Sequence, residues 1–209
     1  MLEIKNIYKT FNPGTINEKV ALNGLSLKLN EGDFVTVIGG NGAGKSTMLN
    51  AVAGVWPVDE GQIIIDGTDV TKLSEYKRAA YLGRVFQDPM TGTAATMGIE
   101  ENLALAKRRG KTRLLRPGIT KAERAEYKEL LKILNLGLED RLTSKVGLLS
   151  GGQRQALTLL MATLQKPKLL LLDEHTAALD PKTAAKVLDI TDKIVNRDHL
   201  TTLMITHNM

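Results

Sequence analysis

The sequence lacks several features that mark particular classes of protein. None of its 209 residues is cysteine, which excludes disulfides and thiolate metal sites and is compatible with a reducing compartment without establishing one. Its longest apolar run, at residues 169–172 and their neighbours, is far shorter than the roughly 20 residues of a membrane-spanning helix. The opening stretch, MLEIKNIYKTF, does not follow the charged, apolar and small-residue order of a secretory signal. These absences favour a globular chain that is not secreted and that meets a membrane only through a partner.

The charge balance is mildly positive. Twenty-eight Lys and Arg residues face 23 Asp and Glu residues, so the net charge is +5. This excess favours an anionic ligand or surface but is far below that of a dedicated nucleic-acid binder, and we expect no nucleic-acid partner. With 43% hydrophobic and 24% charged residues, the chain has the composition of a folded domain, with room for a subdomain.

Apolar stretches of β type alternate with helical ones, which indicates an α/β fold with a mainly parallel sheet. GQIIIDGTDV predicts a strand that enters an Asp-Gly turn and hence an antiparallel β flap beside the main sheet. The helical character of residues 88–165 predicts an inserted α-helical subdomain. The remaining expected elements are a β-rich opening that ends in a short buried strand at DFVTVIG, a helix over 45–53, strands over 168–173 and 201–206, and a helix over 181–196.

GGNGAGKST, residues 39–47, fits the phosphate-loop pattern G-x-x-x-x-G-K-[ST] and stands between a predicted strand and a predicted helix. Glycines let the backbone N–H groups turn toward phosphate oxygens, and the positive end of the helix dipole adds to the attraction. Lys45 is placed for the β- and γ-phosphates, Ser46 for Mg²⁺ and Thr47 for the α-phosphate side. A glycine-rich turn with an accidental lysine is the alternative.

An acidic pair follows the run of leucines at 169–172. In P-loop proteins a carboxylate at the end of another central strand completes the Mg²⁺ site, and Asp173 is the candidate. Glu174 would then face the γ-phosphate and orient or deprotonate the attacking water. Alternatively, the two acids cap the helix predicted to begin at Pro181.

A second glycine-rich helix start, LLSGGQRQALTLLMATL, has no lysine to meet a phosphate. Its residues 149–153 match the LSGGQ signature, and the sequence resembles the nucleotide-binding subunits of ABC transporters over nearly its whole length. The resemblance implies an ATPase with ATP and Mg²⁺, in which two domains pair head to tail and each signature covers the other domain's ATP. Ser150, as a helix cap, and the glycines beside it suit that role.

Further assignments come from the resemblance. Phe11 matches the aromatic residue that stacks on adenine, with Tyr8 as the alternative; Gln87 matches the glutamine that contacts Mg²⁺ or water and signals to the membrane subunit. Asp180 matches an aspartate that crosses the dimer interface, although it also fits a helix cap. His207 matches the switch histidine at the γ-phosphate. The residues assigned to binding the chain's own nucleotide are Phe11, Gly39, Gly40, Asn41, Gly42, Ala43, Gly44, Lys45, Ser46 and Thr47. Those assigned to catalysis are Glu174, His207 and Gln87, and those assigned to the metal are Ser46, Gln87 and Asp173. Those assigned to the partner's nucleotide are Ser150, Gly151, Gly152, Gln153 and Asp180.

Three features depart from the family pattern or have no family counterpart. His175 stands where most relatives have proline, and either tunes the loop or, as we favour, hydrogen-bonds to backbone. The run KRRGKTRLLR, residues 107–116, is either a solvated face or a contact with lipid headgroups or an acidic partner. The chain ends at Met209, where relatives continue, which predicts a truncated C-terminus.

The predicted organisation is a single ABC ATPase domain: a P-loop core with the β flap over 1–87 and 166–209, and a helical subdomain with the signature over 88–165. The resemblance implies a motor subunit at the cytoplasmic face of the membrane. Its expected partners are a second ATPase subunit, identical or not, integral permease subunits and a solute-binding protein. The stretch DEHTAALDPKTA is similar to the corresponding stretch in the ATPase subunits of importers of amino acids such as tryptophan. A soluble ABC ATPase of DNA repair or translation is the alternative, and a non-hydrolytic regulatory module is disfavoured by Glu174 and His207.

Overall fold

The computed structural model describes residues 1–111 and 117–206. The chain divides into two compact units. Of the described residues, the first unit contains Met1–Gly83, Pro167–Glu174 and 199–206, and the second contains those of Arg84–Lys166 and His175–Asp198. The strands are β1 (Leu2–Phe11), β2 (Lys19–Leu29), β3 (Phe34–Ile38), β4 (Glu60–Ile65), β5 (Thr68–Asp69), β6 (Leu82–Val85), β7 (Leu169–Asp173) and β8 (Thr202–Thr206). The α-helices are α1 (Lys45–Ala53), α2 (Glu75–Arg78), α3 (Ile99–Lys107), α4 (Lys121–Lys132), α5 (Gly151–Thr163) and α6 (Pro181–Asp198).

An antiparallel sheet with the strand order β2-β1-β4-β5 forms one layer of the first unit. The turn between β4 and β5 places Asp66 at φ 50° and Gly67 at φ 74°. Aspartate and glycine tolerate this left-handed backbone, which the twist of a tight hairpin requires. The expected β flap is therefore present, and its Asp-Gly turn is where the sequence indicated it.

The second sheet has the order β3-β8-β7-β6, and β3 and β7 both run parallel to β8. Leu169, Leu170, Leu171 and Leu172 are all 0% exposed, as expected of a strand covered on both faces. The expectation that DFVTVIG is buried is wrong: Phe34 is 45% and Ile38 50% exposed. In the described part of the chain β3 lies at the edge of its sheet, so it lacks a neighbour on one side.

A buried arginine holds the C-terminal end of α1. Arg78 is only 2% exposed, and its Nη1 donates to the carbonyl groups of Ala51, at 2.6 Å, and Val52, at 2.9 Å. Its other nitrogens donate to the carbonyl groups of Leu73, at 3.0 Å, and Thr71, at 2.8 Å. A cation at this end of a helix complements the helix dipole, so Arg78 fixes the helix whose other end carries the phosphate loop.

The second unit is mainly helical, and acids of α4 neutralise the start of the basic run. Lys107 forms an ion pair with Glu126, and the Arg108 guanidinium lies 2.8 Å from the Glu123 carboxylate. Residues 112–116 of the run lie outside the described residues. Within the ranges that the structure describes, no helix combines the length and the hydrophobicity needed to cross a bilayer.

Candidate nucleotide-binding site

The phosphate loop leaves β3 and surrounds a cavity of about 240 Å³. Lys19 and Ala21 of β2 line it together with residues 41–47. Gly44 lies at φ 84°, and a Cβ there would come within 2.4 Å of the Ala21 carbonyl oxygen. No other residue type fits this position without displacing backbone, so the fold itself requires a glycine.

The N-terminus of α1 opens onto this cavity. No side chain caps the helix, whose first N–H groups have no partner inside the helix and suit an anion. Lys45 is 7% exposed, and its Nζ donates to the carbonyl oxygens of Gly39, at 2.5 Å, and Gly40, at 3.0 Å. The lysine is thus held against its own loop, within reach of any phosphate placed there.

The strand register brings the acidic pair to the same edge of the sheet as the phosphate loop. Val37 pairs with Ile205, and Ile205 pairs with Asp173 on its other side. Because all three strands are parallel, Asp173 is level with the end of β3, two strand spacings or about 10 Å away. Glu174 follows at 8% exposure, with its N–H bonded to the Ile205 carbonyl at 3.0 Å.

Glu174 has a left-handed backbone, with φ 44°. This conformation costs a residue with a side chain roughly 1 kcal/mol or more, and such strain clusters at functional sites. The hydrogen bond to Ile205 holds the residue in this geometry. The backbone at Glu174 therefore supports a functional assignment independently of the motif.

Among the described residues the His175 side chain bonds to a hydroxyl and not to backbone, contrary to the interpretation that we favoured from the sequence. It is 2% exposed, and its Nε2 lies 3.1 Å from the Thr191 hydroxyl oxygen of α6. Burial lowers the pKa of His175 to about 4, so the imidazole is neutral at pH 7.

The second glycine motif begins α5 in the second unit. The Ser150 hydroxyl accepts from the Gln153 N–H at 3.3 Å, and the Gln153 side chain accepts in return from the Ser150 N–H at 3.2 Å. This reciprocal capping box holds the helix start. A Cβ on Gly152 would lie 2.1 Å from the Thr183 methyl carbon, so α5 and α6 approach closely at this point.

Asp180 forms the helix cap that its position before Pro181 indicated. Its carboxylate accepts from the Thr183 N–H at 3.1 Å, and hydrogen bonds from the Thr183 side chain and backbone lower its pKa. The carboxylate is therefore charged at the start of α6, which complements the helix dipole. Its role across a dimer interface stays a prediction.

Phe11, at the end of β1, packs edge to face with Trp56, with ring centroids 5.0 Å apart and an interplanar angle of 81°. Lys9 lies 5.7 Å from the centroid of the Phe11 ring. Trp56 gave no signal in the sequence, because a lone tryptophan after a helix carries no pattern of its own. Tyr8, the alternative for base stacking, is 38% exposed.

The predicted site residues divide between the units. Phe11, the phosphate loop, Asp173 and Glu174 belong to the first unit, and Gln87, residues 150–153 and Asp180 to the second. The structure brings the phosphate loop and the acidic pair to one sheet edge. His207 lies outside the described residues, and its role stays a prediction.

Comparison with known proteins is consistent across sequence and structure. The family model described as "ABC transporter" matches residues 22–177. The chain is 48% identical to the tyrosine transport ATP-binding protein of Clostridioides difficile, over all of this chain and 83% of that protein. It is 39% identical to the methionine import ATP-binding protein MetN of Rhizobium etli, over 90% of this chain, and spans only half of that relative's length. A dimeric, post-hydrolysis structure of the ATP-binding cassette MJ0796 with ADP and Pi aligns with a TM-score of 0.82 at 32% identity, covering all of this chain and 88% of that one. The expected fold, with its parallel and antiparallel sheets and its helices, is thereby confirmed, as is the expected ATP-binding ATPase.

Proposed function

We propose that this chain, which belongs to the ABC transporter family, is the ATP-hydrolysing motor subunit of a bacterial importer for an amino acid. The observation that carries the proposal is the register of the parallel sheet. It aligns the phosphate loop after β3 with Asp173 and Glu174 at the end of β7. A phosphate cradle and two acids at one sheet edge are the parts that hydrolysis of a nucleoside triphosphate needs.

The site residues of the first unit each have a role in this proposal. The N–H groups of the phosphate loop and Lys45 bind the phosphates, and Phe11 stacks on the adenine. The Ser46 hydroxyl and the Asp173 carboxylate are the oxygen ligands that Mg²⁺ prefers, and the ion keeps part of its water shell. Bound Mg²⁺ supplies neutralisation of the phosphate charge, while Glu174 accepts the proton of the attacking water.

The second unit supplies residues for a partner's nucleotide. Residues 150–153 and Asp180 would cover the ATP held by a second ATPase subunit, identical or homologous, in a head-to-tail dimer. The capped N-terminus of α5 presents glycine backbone, which approaches an anion closely and favours negative charge. Gln87 contacts Mg²⁺ or its water, and His207 contacts the γ-phosphate.

In this proposal the protein lies at the cytoplasmic face of the cell membrane, where it binds to integral permease subunits. The complete transport system also contains a solute-binding protein. The tyrosine and methionine named for the relatives support an amino acid as cargo. Tryptophan remains the specific candidate among aromatic amino acids. The ATPase contributes the energy, and the cargo is selected by the partners.

Glu174→Gln tests the catalytic assignment. The amide keeps the shape of the side chain but cannot take a proton, so we expect normal ATP binding and a loss of turnover of at least 100-fold. An ATP-bound dimer should accumulate on a sizing column in the presence of Mg²⁺ and ATP. Turnover equal to that of the unsubstituted protein would contradict the assignment of Glu174 as the general base.

The same substitution in the source cell tests the transport assignment. Uptake of labelled tryptophan, tyrosine and methionine is measured one amino acid at a time. Uptake of one of them should fall to the level of a deletion strain, whereas Gln165→Met, a substitution away from the nucleotide residues, should preserve it. Unchanged uptake of all three amino acids, with turnover lost in the purified variant, would contradict import of these amino acids and leave the assignment as an ATPase standing.

A further inference from the structure

Gln87 lies in the segment of residues 86–94, whose backbone is hydrogen-bonded to a buried glutamine of α5. Gln155 is 0% exposed, and its Nε2 donates to the Phe86 carbonyl at 2.9 Å. Phe86 directly precedes Gln87, and the Arg84 guanidinium lies 4.6 Å from the centroid of the Phe86 ring. At Phe86, the first residue of the segment, the backbone carbonyl and the side chain therefore each have a fixed partner.

The orientation of the Gln155 amide follows from its partner. A carbonyl oxygen only accepts, so the NH₂ group must face Phe86, and the Oε1 atom must face the other way. Oε1 is buried and has no hydrogen-bond partner among the described residues. An unpaired buried acceptor is unfavourable, which means that packing alone does not account for a glutamine here.

Two further contacts join α5 to the same segment. Arg154, 3% exposed, donates from Nη1 to the sulfur of Met90, and from Nη2 to the Val146 carbonyl at 3.0 Å. At Gly92, φ 89°, a Cβ would lie 3.3 Å from the Thr158 methyl carbon. Successive turns of α5 thus contact the segment at three places.

The last residue of the segment, Ala94, is also held by a hydrogen bond. The Asn102 side chain, 1% exposed, accepts from the Ala94 N–H at 2.8 Å and donates to the Gly98 carbonyl at 2.9 Å. Gln87 itself is exposed. The segment therefore presents an exposed glutamine from a backbone that is fixed on both sides.

We propose that Gln155 is a positioning residue for Gln87. It ties the backbone before Gln87 to the helix that begins with residues 150–153, so that the two parts of the second unit assigned to nucleotide contact move together. The inference rests on the proposed function, because it assumes that Gln87 and the start of α5 act on ATP. Gln155 itself touches no nucleotide and acts through the Phe86 carbonyl.

Gln155→Met tests the proposal, since methionine keeps the length and volume of the side chain but donates no hydrogen bond. We expect kcat for ATP hydrolysis to fall by about twofold to tenfold, the range for the loss of one neutral hydrogen bond, while KM for ATP stays within twofold. Gln165→Met is the matched control, because the Gln165 amide donates to the Lys107 carbonyl in the same unit. That control should leave kcat unchanged.

Hydrogen exchange gives a readout that does not need hydrolysis. The backbone amides of residues 86–92, except Pro89, which has none, should exchange at least threefold faster in Gln155→Met, and those of α4 should not change. If Gln155→Met does not fold, Gln155→Asn, whose amide is too short to reach Phe86, should show the same two effects.

Unchanged kcat together with unchanged exchange at residues 86–92 overturns the proposal. Faster exchange over the whole second unit, with kcat unchanged, reduces Gln155 to a structural role and also overturns it. Absence of ATP hydrolysis in the unsubstituted protein would instead contradict the proposed function, and the exchange experiment would still decide whether Gln155 holds the segment.

Discussion

Part of the destabilisation of this protein on acidification should come from the buried imidazole of His175. His175 is 2% exposed, and the hydroxyl that it contacts, on Thr191, donates its own hydrogen to the Val187 carbonyl at 2.8 Å. A hydroxyl has one hydrogen, so the contact with His175 requires Nε2–H as the donor. The folded protein therefore selects a neutral imidazole with its proton on Nε2.

The size and sign of the effect follow from the pKa. Burial lowers the pKa of His175 from 6.5 to about 4. Between these values the unfolded chain binds a proton that the folded protein does not, so stability falls as the pH falls. The full contribution is present above about pH 6.5, and at 1.36 kcal/mol per pKa unit about 3 kcal/mol is lost by about pH 4.

Urea unfolding at several pH values between 7 and 4, followed by circular dichroism, measures this loss. His175→Gln does not titrate, and its amide can still donate to Thr191, so its free energy of unfolding should fall by about 3 kcal/mol less than that of the unsubstituted protein. Both proteins share the carboxylates, so the contribution of these groups to the pH dependence of stability cancels in the comparison. His199→Gln, at an exposed histidine, is the matched control and should follow the unsubstituted protein.

Parallel stability curves for His175→Gln and the unsubstituted protein would refute the reasoning. So would an imidazole resonance of His175 that titrates near pH 6.5 in the folded protein, because the linkage depends on the difference between the two states. Either result would mean that water or an acceptor reaches the ring.

Two substitutions in the first unit test the packing. Gly61→Ala places a Cβ 2.3 Å from the Asn6 carbonyl oxygen at φ 91°, so we expect a loss of about 2 kcal/mol or more in the free energy of unfolding by urea. Gly67→Ala, at φ 74° with no atom near the new Cβ, is its control and should lose only about 1 kcal/mol; equal losses would contradict the steric argument. Arg78→Met removes the guanidinium from four carbonyl groups, of which that of Ala51 keeps the Gly54 N–H as a donor, and should lower stability by about 3 kcal/mol in the same assay. Arg78→Lys should recover part of this loss, and a loss below about 1 kcal/mol in Arg78→Met would show that water replaces the guanidinium.

Local signals predicted several elements accurately. The helix expected over 45–53 spans Lys45–Ala53 and ends at Gly54, which has the left-handed backbone of a helix C-cap. The Asp-Gly turn and the leucine strand also lie where their patterns placed them. Each of these signals depends on the conformations of a few adjacent residues, which the sequence specifies directly.

Predictions that depended on distant neighbours were less successful. The apolar run of β3 indicated burial, but a strand's exposure depends on whether another strand lies beside it. The partner of His175 was expected to be backbone, and the structure supplies the hydroxyl of Thr191, 16 residues away. No local pattern announces such a contact.

The motifs by themselves predicted the chemistry: the spacing of the glycines, Lys45 and Ser46, followed by acids after a buried strand, is typical of a phosphate site, because close backbone approach and oxygen ligands demand those residue types. Only the tertiary structure decided which residues support that chemistry. The level register of β3, β8 and β7, the burial of Arg78 at the end of α1 and the hydrogen bond from Gln155 to Phe86 join residues far apart in the chain. Such contacts form because packing brings buried polar groups together and leaves them no water to bind.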